Sequence, residues 1–110
     1  MLIGSTAFKQ DGNPYYSPQF SRGGLAATFA ASVTHVVNTP NFTITVEHRN
    51  SEDTTWSTAG TFTTITAVGE SQLDVSGLKE IIRFAYSFGA GDSSLDGVHF
   101  LMQAPSWRPY

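Results

Sequence analysis

A chain of 110 residues without a single cysteine has no disulfide framework, no thiol nucleophile and no thiolate metal site, so one hydrophobic core must hold it together. Only 14% of its residues are charged and the net charge is −3, which argues against nucleic-acid binding, a function that depends on clustered Lys and Arg. The polar surface falls to Thr, Ser, Asn, Gln and Gly.

Residues 2–8 form a first candidate strand, and the N-terminus lacks the basic segment and apolar core of a signal peptide. A chain without an export address is the expectation. Residues 10–24, with Gly12, Pro14, Pro18, Gly23 and Gly24, read as a long extended loop. In residues 25–37 the odd positions Leu25, Ala27, Phe29, Ala31 and Val33 share one face, and Val and Thr favour strand over helix. This run is broken by Thr28, Ser32, Thr34 and His35. It falls short of the roughly 20 apolar residues that a membrane helix needs, so no membrane partner is expected. Beyond Pro40, Phe42, Ile44 and Val46 alternate with Thr43, Thr45, Glu47 and Arg49, the two-residue period of a half-buried strand. A polar turn over residues 50–54 leads to a second, Thr-rich run over residues 56–68, and the pair reads as a hairpin. Residues 73–77 are a short strand or turn. Residues 78–88 alternate again, with Ile82, Phe84, Tyr86 and Phe88 on one face. Residues 89–97 are a loop by composition, and residues 98–104 form the last strand, followed by an arm at about 105–110.

This pattern predicts an all-β, single-domain antiparallel β-sandwich, jelly-roll-like, over residues 1–110. Its core is expected to comprise Phe29, Val33, Phe42, Ile44, Val46, Phe62, Ile65, Ile82, Phe84, Tyr86, Phe100 and Met102.

Catalytic devices are sparse. His35, His48 and His99 match no metal-ligand spacing and read as surface or hydrogen-bonded strand residues. No nucleophile elbow is present. Asp92 and Asp96 open a D-x-S-x-D-G stretch that resembles the start of a calcium loop. The position of its bidentate Glu is Gln103, so a turn is the simpler account. The lone Arg22-Gly23-Gly24 is no RNA signal, and its glycines suit a bend. Glu47 and His48 fall on opposite faces of a strand, and Glu52 and Asp53 lie in a solvated turn, which breaks up their acid–base grouping. No enzyme, metal or cofactor is expected.

The two ends are more purposeful. Tyr15, Tyr16 and Phe20 in the early loop, and Trp107, Arg108 and Tyr110 in the final arm, lie on proline-held, extended chain. Tyr, Trp and Arg dominate interface hot spots, and proline lowers the entropy lost on docking. These six residues are the candidate partner-binding set, although the same aromatics could fold back to cap the ends of the sandwich. Deleting residues 105–110 is expected to leave the fold intact.

Residues 46–62, V-E-H-R-N-S-E-D-T-T-W-S-T-A-G-T-F, and residues 77–86, G-L-K-E-I-I-R-F-A-Y, carry a resemblance. They are similar to small β-sandwich structural proteins of tailed bacteriophages, where a V-x-H-S/R strand end leads through an Asp-rich turn to Trp and a G-x-F strand. The resemblance implies a capsid cement or decoration protein, made in the host cytoplasm and carried on the virion surface. It further implies a homotrimer that bridges subunits of a major capsid protein. The alternative is a carbohydrate-binding or tail-associated receptor-binding module, with Trp56 or Trp107 stacking on a sugar ring.

Overall fold

The computed structural model describes residues 3–8, for these the backbone alone, and residues 15–38, 41–89 and 97–109. Tyr110 and the segment holding Asp92 and Asp96 lie outside the described residues. Ten strands run in chain order: β1 (Ile3–Phe8), β2 (Tyr15–Tyr16), β3 (Phe20–Ser21), β4 (Ala26–Val37), β5 (Phe42–Arg49), β6 (Ser57–Thr61), β7 (Gly69–Ser76), β8 (Ile81–Phe88), β9 (Gly97–Met102) and β10 (Ser106–Arg108). All pairings among them are antiparallel.

Two pairs of these strands each act as one strand interrupted by a step. β9 leaves β4 after Met102, opposite Ala31, and β10 rejoins the same flank with Ser106 opposite Thr28. The Gln103 amide bridges the gap by donating to the Ala30 carbonyl at 3.0 Å. β2 and β3 flank β8 in the same way, and Ser17 spans their gap. Its amide donates to the Phe84 carbonyl at 2.9 Å, while its hydroxyl accepts the Phe84 N–H at 2.8 Å. With each pair counted as one strand, the sheets read β1–β9/β10–β4–β7 and β2/β3–β8–β5–β6. Every connection crosses between sheets except β5 to β6, which is the strand order of a jelly roll. The molecule is an all-β jelly-roll sandwich.

The core follows from the alternation. Every residue expected there from the sequence is buried. Two aromatic groups tie the sheets together. Phe42 lies 5.0 Å from Phe100 between ring centroids, and Tyr86 lies 4.9 Å from Phe100. At the other end Phe29 meets Phe84 edge-on at 5.6 Å, and Trp107 packs at 6.2 Å from Phe29 and 6.5 Å from Phe20. Such contacts add about 0.5–1.5 kcal/mol each beyond the area that they bury.

Several boundaries differ from the sequence reading, and each difference has a physical cause. The expected loop over residues 10–24 contains β2 and β3, because Tyr15 and Phe20 find partners on distant β8. The Thr-rich run is strand only over β6. Beyond it, Phe62 and Ile65 turn inward, and Ile65 exchanges backbone hydrogen bonds with Phe42 at 2.7 and 3.0 Å. β7 starts at Gly69, a strand with little apolar content because its outward residues Glu70, Gln72 and Asp74 are exposed at the sheet edge. The C-terminal residues 106–108 are strand β10 rather than a detached arm, with Trp107 packed on the core. Deleting residues 105–110 therefore removes part of the sheet and a core ring, which overturns the expectation that the fold would be indifferent to it. Gly24 secures this strand: a Cβ there would overlap the Arg108 carbonyl, so the close approach requires glycine.

One core group is unsatisfied. Burial pushes the Tyr86 phenol up to about 12. The nearby Ser17 hydroxyl donates to the Pro18 carbonyl and accepts from Phe84, and the Tyr86 oxygen has no hydrogen-bond partner among the described residues. An orphaned buried hydroxyl costs free energy that its removal returns. Tyr86→Phe is therefore expected to hold or raise stability, by up to about 1 kcal/mol in urea unfolding. A clear loss would show that the hydroxyl has a partner.

Candidate functional site

The outer face of the β2/β3–β8–β5–β6 sheet carries the densest arrangement of specific side chains. Alternation along β8 turns Arg83 outward while Ile82 and Phe84 go into the core. Opposite it on β5 stands Glu47, and the Arg83 Nε donates to Glu47 Oε1 at 2.7 Å. Tyr16 rises from β2 on one flank of β8, and Trp56 stands just before β6 on the other flank of β5. The Arg83 guanidinium lies 3.9 Å from the Tyr16 ring centroid and 4.3 Å from that of Trp56. One cation thus contacts two aromatic faces and a carboxylate. Tyr16 remains 50% exposed, so the cluster is anchored yet open to a partner.

The neighbouring turn extends this order. Arg49 lies 5.1 Å from the Trp56 ring, and its Nη1 donates to the carbonyls of Asn50 and Asp53 at 3.3 and 3.0 Å. Asp53 Oδ2 accepts the Asn50 amide at 2.9 Å and lies 4.0 Å from Lys79 Nζ. Glu80 accepts from the Ser51 amide at 3.0 Å. Glu47 and Asp53 therefore hold separate structural contacts, while Glu52 and Glu80 both accept from the Ser51 hydroxyl, at 3.4 and 3.3 Å.

The histidines divide in two. His48 is buried, and its Nδ1 accepts the Lys79 N–H at 3.2 Å. His35 and His99 face each other across β4 and β9 on the other sheet. Among the described residues no three metal-capable side chains converge. Arg22, read as part of a lone RGG element, donates to the Leu78 carbonyl from the loop behind β3.

The six residues expected to dock a partner are separated. Tyr15, Phe20 and Trp107 pack against the core, as the capping reading of the ends required. Arg108 donates to Thr28 Oγ1 at 2.7 Å, and that hydroxyl donates to Asp74. The Gln103 side chain repeats this rung one turn of the ladder away, donating to Ser32 Oγ at 2.9 Å, with Ser32 donating to Glu70 at 3.3 Å. Arg108 thus stitches the outer face of the first sheet. Only Tyr16 stands on the open cluster, and Tyr110 lies outside the described residues. Sequence reasoning missed Arg83 because its two aromatic contacts come from distant segments. The Arg83–Glu47 pair was recoverable from opposite charges on adjacent alternating strands.

The Arg83 guanidinium is planar and stacks, whereas an ammonium is a point charge. Arg83→Lys is expected to lose about 1–2 kcal/mol in urea unfolding and to shift Trp56 fluorescence to the red. An unchanged spectrum would mean that the contact is not maintained in solution. His48 provides a second test. Its pKa is held below the ordinary 6.5, first by burial and then by the Lys79 charge. The folded chain therefore binds this proton less readily than the unfolded chain, and stability falls as pH drops below about 6.5. Protonation of Nδ1 would also break the Lys79 hydrogen bond. In His48→Gln the urea midpoint should fall less between pH 7 and pH 5 than in the parent; equal falls would remove His48 as the cause.

Comparisons with protein-family profiles, curated proteins and solved structures returned no match to this chain.

Proposed function

We propose that this chain is a structural, non-enzymatic component of a tailed-phage particle, a capsid decoration protein that docks on the major capsid protein through the outer face of the β2/β3–β8–β5–β6 sheet. The observation that carries the docking face is the Tyr16–Arg83–Trp56 stack, fixed by Glu47. Trp, Tyr and Arg supply most interface hot spots, and side chains already ordered before binding lose less entropy when a partner closes over them. The phage assignment rests on the resemblance of residues 46–62 and 77–86. Both stretches contribute to this same face, through Glu47, Trp56 and Arg83. A jelly roll serves capsid and lectin domains alike, so the fold alone does not choose between them. The sugar-stacking alternative loses support because guanidinium groups lie over Trp56 and Trp107 is packed between Phe20 and Phe29.

Binding only to the assembled lattice would stabilise the shell by mass action. A homotrimer over subunit contacts would multiply that effect through avidity. Co-sedimentation with assembled capsids of the encoding phage tests both parts. The parent protein should pellet at saturable stoichiometry, and Trp56→Ala combined with Tyr16→Ala should weaken binding at least about 10-fold while the thermal melt remains cooperative. A parent that stays in the supernatant would overturn the decoration role. A double variant that binds at full strength would overturn the docking face.

A further inference from the structure

We propose that His35 and His99 form a two-imidazole site for a late first-row divalent cation, Zn²⁺ or Cu²⁺, on the outer face of the β1–β9/β10–β4–β7 sheet. The site is remote from the Tyr16–Arg83–Trp56 cluster and independent of the decoration reading.

The argument begins with the register of β4 against β9. Val33 pairs with Phe100, and with uninterrupted pairing His99 would then face Thr34 while residue 35 met Val98. Instead the register shifts by one residue between Val33 and His35, so that His35 pairs with His99 and Val36 with Val98. The extra residue is Thr34, whose hydroxyl donates to the His99 carbonyl at 3.2 Å. A β-bulge commonly re-aims a side chain in this way. Here it turns His35 out of the inward series of Ala31 and Val33 and sets it beside His99.

The rings are at chelating distance. Their centroids lie 5.7 Å apart at an interplanar angle of 62°. A metal about 2.0–2.1 Å from one nitrogen of each ring holds two centroids about 5 Å apart in a tetrahedral or cis arrangement. Small χ rotations close the difference. The strands fix the backbone beneath both ligands, because the β4–β9 ladder continues on both sides of the bulge and β1 pairs with the far flank of β9. Imidazole selects zinc, copper and nickel over calcium and magnesium. His35 is exposed and His99 half-buried, so water can fill the remaining positions. The net charge of −3 favours cation approach.

The experiment titrates ZnCl₂ alone into the full chain, followed by isothermal calorimetry and by the imidazole C–H signals in NMR. One equivalent should move the His35 and His99 signals together and leave those of buried His48 in place. His35→Gln and His99→Gln should each weaken binding by roughly 10²-fold, the advantage of two ligands held in one frame. Both variants should melt like the parent in EDTA, and the exposed position of His35 keeps that variant informative if His99→Gln folds poorly. Zinc should raise the melting temperature of the parent and not of the variants. Equal zinc affinity in the parent and His35→Gln, signals that respond independently, or a flat titration to millimolar zinc would each overturn the site.

Discussion

The structure depends on the packing of aromatic rings between its two sheets. With no cysteine available, the sheets stay together because Phe42 and Tyr86 from one meet Phe100 from the other, and because Phe84 meets Phe29 and Phe20 meets Trp107. Burial of a large apolar side chain contributes roughly 1.5–3 kcal/mol against the conformational entropy of an ordered chain. The second aromatic group is assembled from interrupted strands. Phe20 on β3 and Trp107 on β10 come from opposite ends of the chain, so the last turns of both edges are held by the same rings that close the core. Gly23 leaves the space that this requires, since a Cβ there would lie 2.7 Å from the Trp107 ring.

The outward faces then differ in character. The first sheet is covered by rungs of hydroxyls that receive from Arg108 and Gln103 and donate to Asp74 and Glu70. Along these rungs the donors and acceptors satisfy one another. On the second sheet one guanidinium gathers two rings, leaving a half-exposed tyrosine at the surface. The contrast is the reason for proposing the docking face on the second sheet, with the bulged histidine pair a separate local feature of the first.

Strands whose partners impose a period of two were legible in the sequence: β4, β5 and β8 alternate because each has one face on the core. β7 was shortened in that reading because only Leu73 and Val75 add strong apolar signal and the rest of the strand is edge. β2, β3 and β10 were invisible for a different reason. Each is two or three residues long beside a proline, and its strand character comes from a partner remote in sequence. Composition identified the right kinds of residue at the ends without revealing which way they turn: Trp107 goes in and Tyr16 stays out. The pairing of His35 with His99 could not have been anticipated, since ideal alternation sends His35 to the wrong partner and only the bulge at Thr34 brings the rings together.

β7 closes one side of the first sheet with its outer edge lacking a strand neighbour among the described residues. A bare row of amides and carbonyls of this length invites another chain to add on, the more so where many copies are crowded together. Glu70 and Asp74 place negative charge along that edge, and both are held in position by the hydroxyl rungs behind them. An incoming identical β7 would bring the same charges against them. The rungs thus serve a second end: besides tying neighbouring strands together, they keep the carboxylates fixed where they oppose pairing with another β7 edge.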